Sequence, residues 1–110
     1  MNIEHKNLAS GRWNQLSFIE QMANVGSEVE RTISWKEKNN SDYSHRAFER
    51  ALELLDLTLA DTKNRKRLRE IARVREALVD YFSFENFYRS SDNKWKKYFL
   101  VFNLASRISR

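Results

Sequence analysis

Residues 63–75, Lys-Asn-Arg-Lys-Arg-Leu-Arg-Glu-Ile-Ala-Arg-Val-Arg, gather seven cations (Lys63, Arg65, Lys66, Arg67, Arg69, Arg73, Arg75) around one acid, Glu70. Seven less one is +6, more than the +5 of the whole 110-residue chain, so the rest is close to neutral and the basicity is local. Wound as a helix, the segment turns Leu68, Ile71, Val74 and Leu78 to one side and Arg65, Lys66, Arg69 and Arg73 away from it. Guanidinium donors fork onto phosphate oxygens, so this face suits RNA or DNA, bound with little regard to base sequence and with strong salt dependence. Lys94 and Lys97, with Lys96, Arg107 and Arg110, extend the patch from the last helix. The competing reading is a solvated face, with Arg69 and Arg73 ion-paired to Glu49, Glu53 or Asp56 of the preceding helix. Arg75 falls close to the apolar stripe and is expected to be partly buried against Glu30 or Asp56; a well-buried pair would cost about 3–5 kcal/mol to break.

Other chemistry is sparse. There is no cysteine, hence no disulfide framework and no thiolate metal site. The two histidines, His5 and His45, stand apart and read as surface residues, and no Glu-x-x-His pair is available for a di-metal bundle site. His-Glu-x-x-His, a Walker loop, Gly-x-Gly-x-x-Gly and the Arg-x₄₋₆-His pattern of HEPN ribonucleases are missing. The sequence therefore predicts no catalytic constellation, no metal and no cofactor, and a small hydrolase or nuclease is the weakest of the readings. Trp35 lies well off the apolar stripe of its helix; with Trp13 and Trp95 it could stack on bases or anchor a partner, or the three rings pack at the ends of the bundle.

The elements that carry these residues follow from composition and period. With no proline and two glycines, the chain lacks the turn residues a sheet protein of this length needs, and a few long helices are expected. Residues 1–16 read as an arm with at most a short helical turn, and 17–110 as one bundle domain. Ser17-Phe18-Ile19-Glu20 is a capping box, followed by the stripe Phe18, Met22, Val25, Val29, Ile33 with Gly26 on it. A second helix over about 42–60 carries Phe48, Ala51, Leu52, Leu55 and Leu59. A third, capped by Asp61 or Thr62, runs to about Phe82 with Leu68, Ile71, Val74, Leu78 and Tyr81 inward. An aromatic connector, 82–88, leads to a fourth helix capped by Ser91 or Asp92 and lined by Trp95, Tyr98, Phe99, Phe102 and Ala105. The predicted class is all-α, an antiparallel four-helix bundle with a short N-terminal arm. Leu100 and Leu104 project roughly opposite Phe102, so the fourth helix is apolar on two sides, which predicts a homo-oligomer interface there unless the arm and connector fold over it. The start lacks the long apolar run of a signal peptide and no stretch approaches a membrane span, so a soluble, cytoplasmic protein is expected.

Read whole, the chain resembles an uncharacterised family of small bacterial helical-bundle proteins. The resemblance is carried by Arg12-Trp13, by residues 17–29 (Ser17 to Val29), by residues 47–58 (Ala47 to Thr58) and by Arg73-Val74-Arg75-Glu76; it covers most of the chain and implies no activity. More remotely, size, basicity and inferred fold look like the four-helix accessory proteins of diversity-generating retroelements and the bundle proteins of ribosomal RNA intervening sequences. The former resemblance implies an oligomer that binds nucleic acid and a reverse transcriptase, at the level of fold only. Two functions are thus expected: a non-catalytic accessory module whose basic third helix meets nucleic acid or a nucleic-acid enzyme, or a protein-binding or self-assembling bundle whose arginines meet an acidic partner.

Overall fold

The computed structural model describes residues 11–108, and all regular structure among them is helical. Four α-helices are present: α1 (Phe18–Glu37), α2 (Ser41–Ala60), α3 (Leu68–Ser83) and α4 (Asp92–Ile108). Two 3-10 segments precede α1 (Trp13–Gln15) and α3 (Thr62–Arg67). Helix α1 packs against both α2 and α4, as in a helical bundle. No described helix is long and apolar enough to cross a membrane.

Helices α1, α2 and α4 each start where a side-chain oxygen satisfies a free amide, whereas α3 continues from the 3-10 segment with no side-chain cap. Ser17 Oγ accepts from the Glu20 N–H at 3.1 Å and Glu20 Oε1 accepts from the Ser17 N–H at 3.0 Å, the reciprocal box expected from the sequence. Asn40 Oδ1 accepts from the Tyr43 N–H to open α2, and Ser91 Oγ from the Lys94 N–H to open α4. The core joins Met22, Val25, Val29 and Ile33 of α1 to Phe48, Ala51, Leu54 and Leu55 of α2, Ile71, Val74 and Leu78 of α3, and Trp95 and Phe99 of α4.

Two expectations change. The third helix is not continuous from its cap: residues 62–67 wind as a 3-10 helix and only then as α3. A 3-10 turn advances about 120° per residue rather than about 100°. Leu68, expected on the core stripe, is the first residue of α3 and lies about 80° around the helix from Leu78, at the edge of the stripe, where it is 40% exposed. Of the expected arm, residues 1–10, with His5, lie outside the described residues, as does Arg110. Trp13 sits fully inside the core, its Nε1 donating to Thr58 Oγ1 at 3.1 Å.

Gly26 marks the closest approach of α1 to α4. A Cβ built there would lie 2.7 Å from Phe99 Cβ. That atom is fixed to the α4 backbone and cannot swing away, so the helices would have to separate. Alanine at this site gains about 1 kcal/mol of helix propensity but overpacks the crossing by about 1–3 kcal/mol. Gly26→Ala is therefore expected to lower the melting temperature. A variant melting at or above the wild type would show that α1 and α4 do not meet at Gly26.

Candidate functional site

The basic segment is held in place by a buried polar cluster. Gln21 of α1 donates from Nε2 to the Trp13 carbonyl at 3.0 Å and to Asp61 Oδ2 at 2.8 Å. Asn64 donates from Nδ2 to Gln21 Oε1 at 2.8 Å and to the Thr58 carbonyl at 2.9 Å. Thr58 Oγ1 accepts from Trp13 and donates to the Leu54 carbonyl. Asp61 caps the 3-10 segment by accepting from the Lys63 N–H at 3.1 Å, and its carboxylate meets Lys63 Nζ. Gln21, Thr58, Asp61 and Asn64 are all buried. Burial pushes the Asp61 carboxyl up, but the hydrogen bonds from Lys63 and Gln21 outweigh it and leave the group below the usual aspartate value. Asn64 thus anchors the segment inward, and Arg65, Lys66 and Arg67 point into solvent.

The seven cations divide into two sets. Lys63 is held by Asp61 and by the Asn14 carbonyl. The Arg67 guanidinium lies 4.5 Å from the Phe18 ring centre and 3.9 Å from Glu70. Arg75 Nε donates to Asp56 Oδ1 at 2.8 Å, so Asp56 rather than Glu30 is its partner. With side-chain exposures of 35% and 53%, this is a surface pair. The expected cost of several kcal/mol accordingly falls to about 1 kcal/mol or less. Among the described residues, Arg65, Lys66, Arg69 and Arg73 make no ion pair and no ring contact, and all four are exposed. Among the described residues neither Arg69 nor Arg73 pairs with an α2 acid: Asp56 is taken by Arg75, Glu49 pairs with His45 at 2.9 Å, and Glu53 is engaged as well.

Lys94 and Lys97 are also exposed, but they stand differently. Lys94 Nζ donates to the Arg89 carbonyl at 3.1 Å. Lys97 shares a face of α4 with Leu100 and Leu104, at positions i, i+3 and i+7. The link between α3 and α4 near the basic strip is instead Tyr98 Oη donating to Glu70 Oε2 at 3.2 Å; burial, then Glu70, pushes that phenol's pKa up. Leu100 and Leu104 are exposed, together with Val101 and Ile108, in one stripe opposite Trp95 and Phe99.

Trp13 and Trp95 are core residues. Trp35 is half-buried, edge-on to Tyr43 at 4.8 Å, with Lys38 Nζ 5.0 Å from its ring centre. At the other end of α4, Asp92 Oδ1 accepts from Lys36 Nζ at 3.0 Å and from the Tyr81 hydroxyl. Burial opposes both charges, but the contacts prevail, lowering the Asp92 pKa and raising that of Lys36. No group of three or more metal-ligating side chains occurs among the described residues.

The aromatic connector between α3 and α4 was expected from the sequence, but not the exposure of its rings. Phe84, Phe87 and Tyr88 are exposed, beside a cleft of about 590 Å³ whose lining includes Leu59, Ala72 and Val79. The run of rings was visible in the sequence, but nothing in it told an exposed ring from a packed one. Comparison with protein-family models, curated proteins and solved structures finds no match for this chain.

The depressed carboxyl of Asp61 gives a signed pH test. Its contribution is fully present above the unfolded-state value of about 3.9 and is lost as pH falls through the lower folded-state value. Asp61→Asn is expected to be about 1–3 kcal/mol less stable than wild type at neutral pH, with that gap narrowing below about pH 4. Urea melts across pH measure it; an unchanging gap would mean that the Asp61 charge does not stabilise the fold. Asp92, shifted the same way, keeps part of the acid sensitivity in both proteins.

Proposed function

We propose that this chain is a non-catalytic, cytoplasmic accessory protein that contacts nucleic acid, or a nucleic-acid enzyme such as a reverse transcriptase, through Arg65, Lys66, Arg69 and Arg73. The observation that carries this reading is the division among the cations. Three of the seven are engaged within the protein, whereas these four pair with no acid among the described residues and follow one another from the 3-10 segment along α3. Lys66, Arg69 and Arg73 stand at i, i+3 and i+7, so successive donors are spaced about 5–6 Å apart along the axis, a reach suited to neighbouring phosphates. We further read the bundle as antiparallel. In support, residue numbers rise along one helix as they fall along the next: Phe18 meets Phe102 and Lys36 meets Asp92, while Phe48 meets Phe82 and Asp56 meets Arg75.

Binding of this kind is driven by counterion release, with about 0.7–0.9 units of slope in log K against log salt per phosphate contact. Four contacts should give a slope of about −3. Arg69→Ala or Arg73→Ala should each remove about one unit and leave thermal stability nearly unchanged. Fluorescence anisotropy with labelled oligonucleotides across a salt series makes the comparison. No binding at low salt would refute the reading and favour an acidic protein partner.

A second reading rests on α4. Leu100, Val101, Leu104 and Ile108 form an exposed apolar stripe, and Lys97 continues it. We propose that it pairs with a second copy. Leu104→Glu should convert an oligomer to a monomer without loss of helix by circular dichroism; a wild type that stays monomeric in light scattering at high concentration would exclude it.

A further inference from the structure

We propose that the nucleic acid bound by this strip is unpaired, with its phosphates on Arg69 and Arg73 and its bases stacked on Phe87, Tyr88 and Phe84 of the connector. This rests on the nucleic-acid reading of the basic strip and adds the class of ligand.

The connector is built to hold rings in solvent. Phe84 is 72% exposed and Phe87 83%, although phenylalanine is ordinarily among the more buried residues. The backbone beneath them is tied down from one side chain: Asp80 Oδ1 accepts from the Phe87 N–H at 2.9 Å, and Oδ2 from the Tyr88 N–H at 3.0 Å. The Asp80 carbonyl accepts from the N–H groups of Phe84 and Asn86 at 3.1 and 3.2 Å. Asn86 clamps Ser90 from both sides, accepting from its N–H at 2.7 Å and donating to its carbonyl at 3.0 Å. The turn also needs two residues in the left-handed region, Asn86 at φ 57° and Arg89 at φ 53°. Asparagine tolerates that conformation and arginine adopts it only when its surroundings demand it. A loop so over-determined keeps its rings from folding back onto the core, and the ordering cost of binding has been met in advance.

Rings and cations belong to one surface. Ala72, Arg75, Glu76 and Val79 of α3 line the cleft beside Phe87 and Tyr88. Arg69 and Arg73 lie about 60° and 100° around the helix from Ala72, along one flank of that cleft. Inside it, Arg75 is already neutralised by Asp56, and Glu76 and Asp80 are acids, so the cleft itself repels phosphate. Apolar walls, exposed rings and a carboxylate acceptor such as Glu76 suit bases with amino groups, while the unneutralised arginines outside suit the backbone. Phe87 and Tyr88 meet edge to face at 5.8 Å, so the pair occupies one face of one ring and leaves the other faces open. A duplex hides the faces of its bases; only an unpaired strand can use these rings.

The test is anisotropy on the full chain with labelled single strands of DNA and of RNA, and with a duplex of the same length, at matched salt. Single strands should bind more tightly than the duplex. Phe87→Ala and Tyr88→Ala should weaken single-strand binding by roughly 5- to 100-fold while leaving the salt slope and duplex binding unchanged. Arg69→Ala with Arg73→Ala should weaken both and flatten the slope. If the duplex binds as well as the single strand, or if Phe87→Ala changes nothing while the arginine variants do, the inference is overturned and the basic-strip reading stands. If neither form binds, both fall. If Phe87→Ala instead dissociates an oligomer, the rings belong to a second copy and the inference is likewise overturned. Because Phe87 and Tyr88 are exposed, both variants are expected to keep wild-type helix content, which circular dichroism verifies.

Discussion

The hydrogen bonds shared by Gln21, Thr58, Asp61 and Asn64 tie the N-terminal turn, α1, the end of α2 and the basic segment to one buried point. The link from α2 to α3 carries cations that repel one another, and a 3-10 winding has poorer hydrogen-bond geometry than an α-helix. Such a segment would fray if held by its own backbone alone. Asn64 inserts its amide between α1 and α2, and Asp61 satisfies both a backbone N–H and Lys63, so the conformation is dictated from beneath. A buried polar group left unsatisfied costs about 1–3 kcal/mol, so removing one member strands its partners; the cluster already carries one such atom, Asn64 Oδ1, which has no partner among the described residues. Its consequence is on the surface: with Asn64 pointing in, Arg65 and Lys66 point out, and they lead into α3, where the buried Ile71, Val74 and Leu78 turn Arg69 and Arg73 outward.

The same division between a tied interior and a displayed exterior recurs at the other end of α3. Asp80 does for the connector what Asp61 does for the basic segment, collecting backbone N–H groups so that side chains face solvent. On α4 the arrangement differs. Gly26 lets Phe99 come within contact of α1, and the aromatic group Trp95, Tyr98, Phe99 and Phe102 fills one side of the helix. The opposite side keeps Leu100, Val101 and Leu104 in water. These surfaces, one basic, one aromatic and one aliphatic, are distributed over different sides of the bundle.

Much of this was legible in the chain itself. Local rules read correctly where the interaction is local: the Ser17–Glu20 box, the heptad-like stripe of α1, the scarcity of turn residues that leaves room only for helices. On α2 the stripe lies slightly out of phase with the expected one, for Leu54 is buried while Leu52 and Leu59 are half-buried. Arg65, Lys66, Arg69 and Arg73 are exposed as read, because an apolar stripe at helical spacing defines its own opposite face. Gly26 was readable as a close crossing because it stands on a stripe of larger side chains.

What the residue order could not settle was every choice that depends on a partner distant in sequence. Trp13 lies in a polar stretch and becomes core only because Thr58 and α2 receive it. Leu68 stands at the edge of the α3 stripe, in its first turn, and is exposed because nothing covers that end of the stripe fully. Arg75 could have met Glu30 or Asp56, and the packing of α3 on α2 selected Asp56 at the surface. Phe84 and Phe87, apolar by type, stand in solvent because Asp80 reaches forward to hold their loop. Period and capping, which act within a turn or two, were determined by sequence; which side chains are covered was decided by the assembled helices, because burial is a property of what lies opposite.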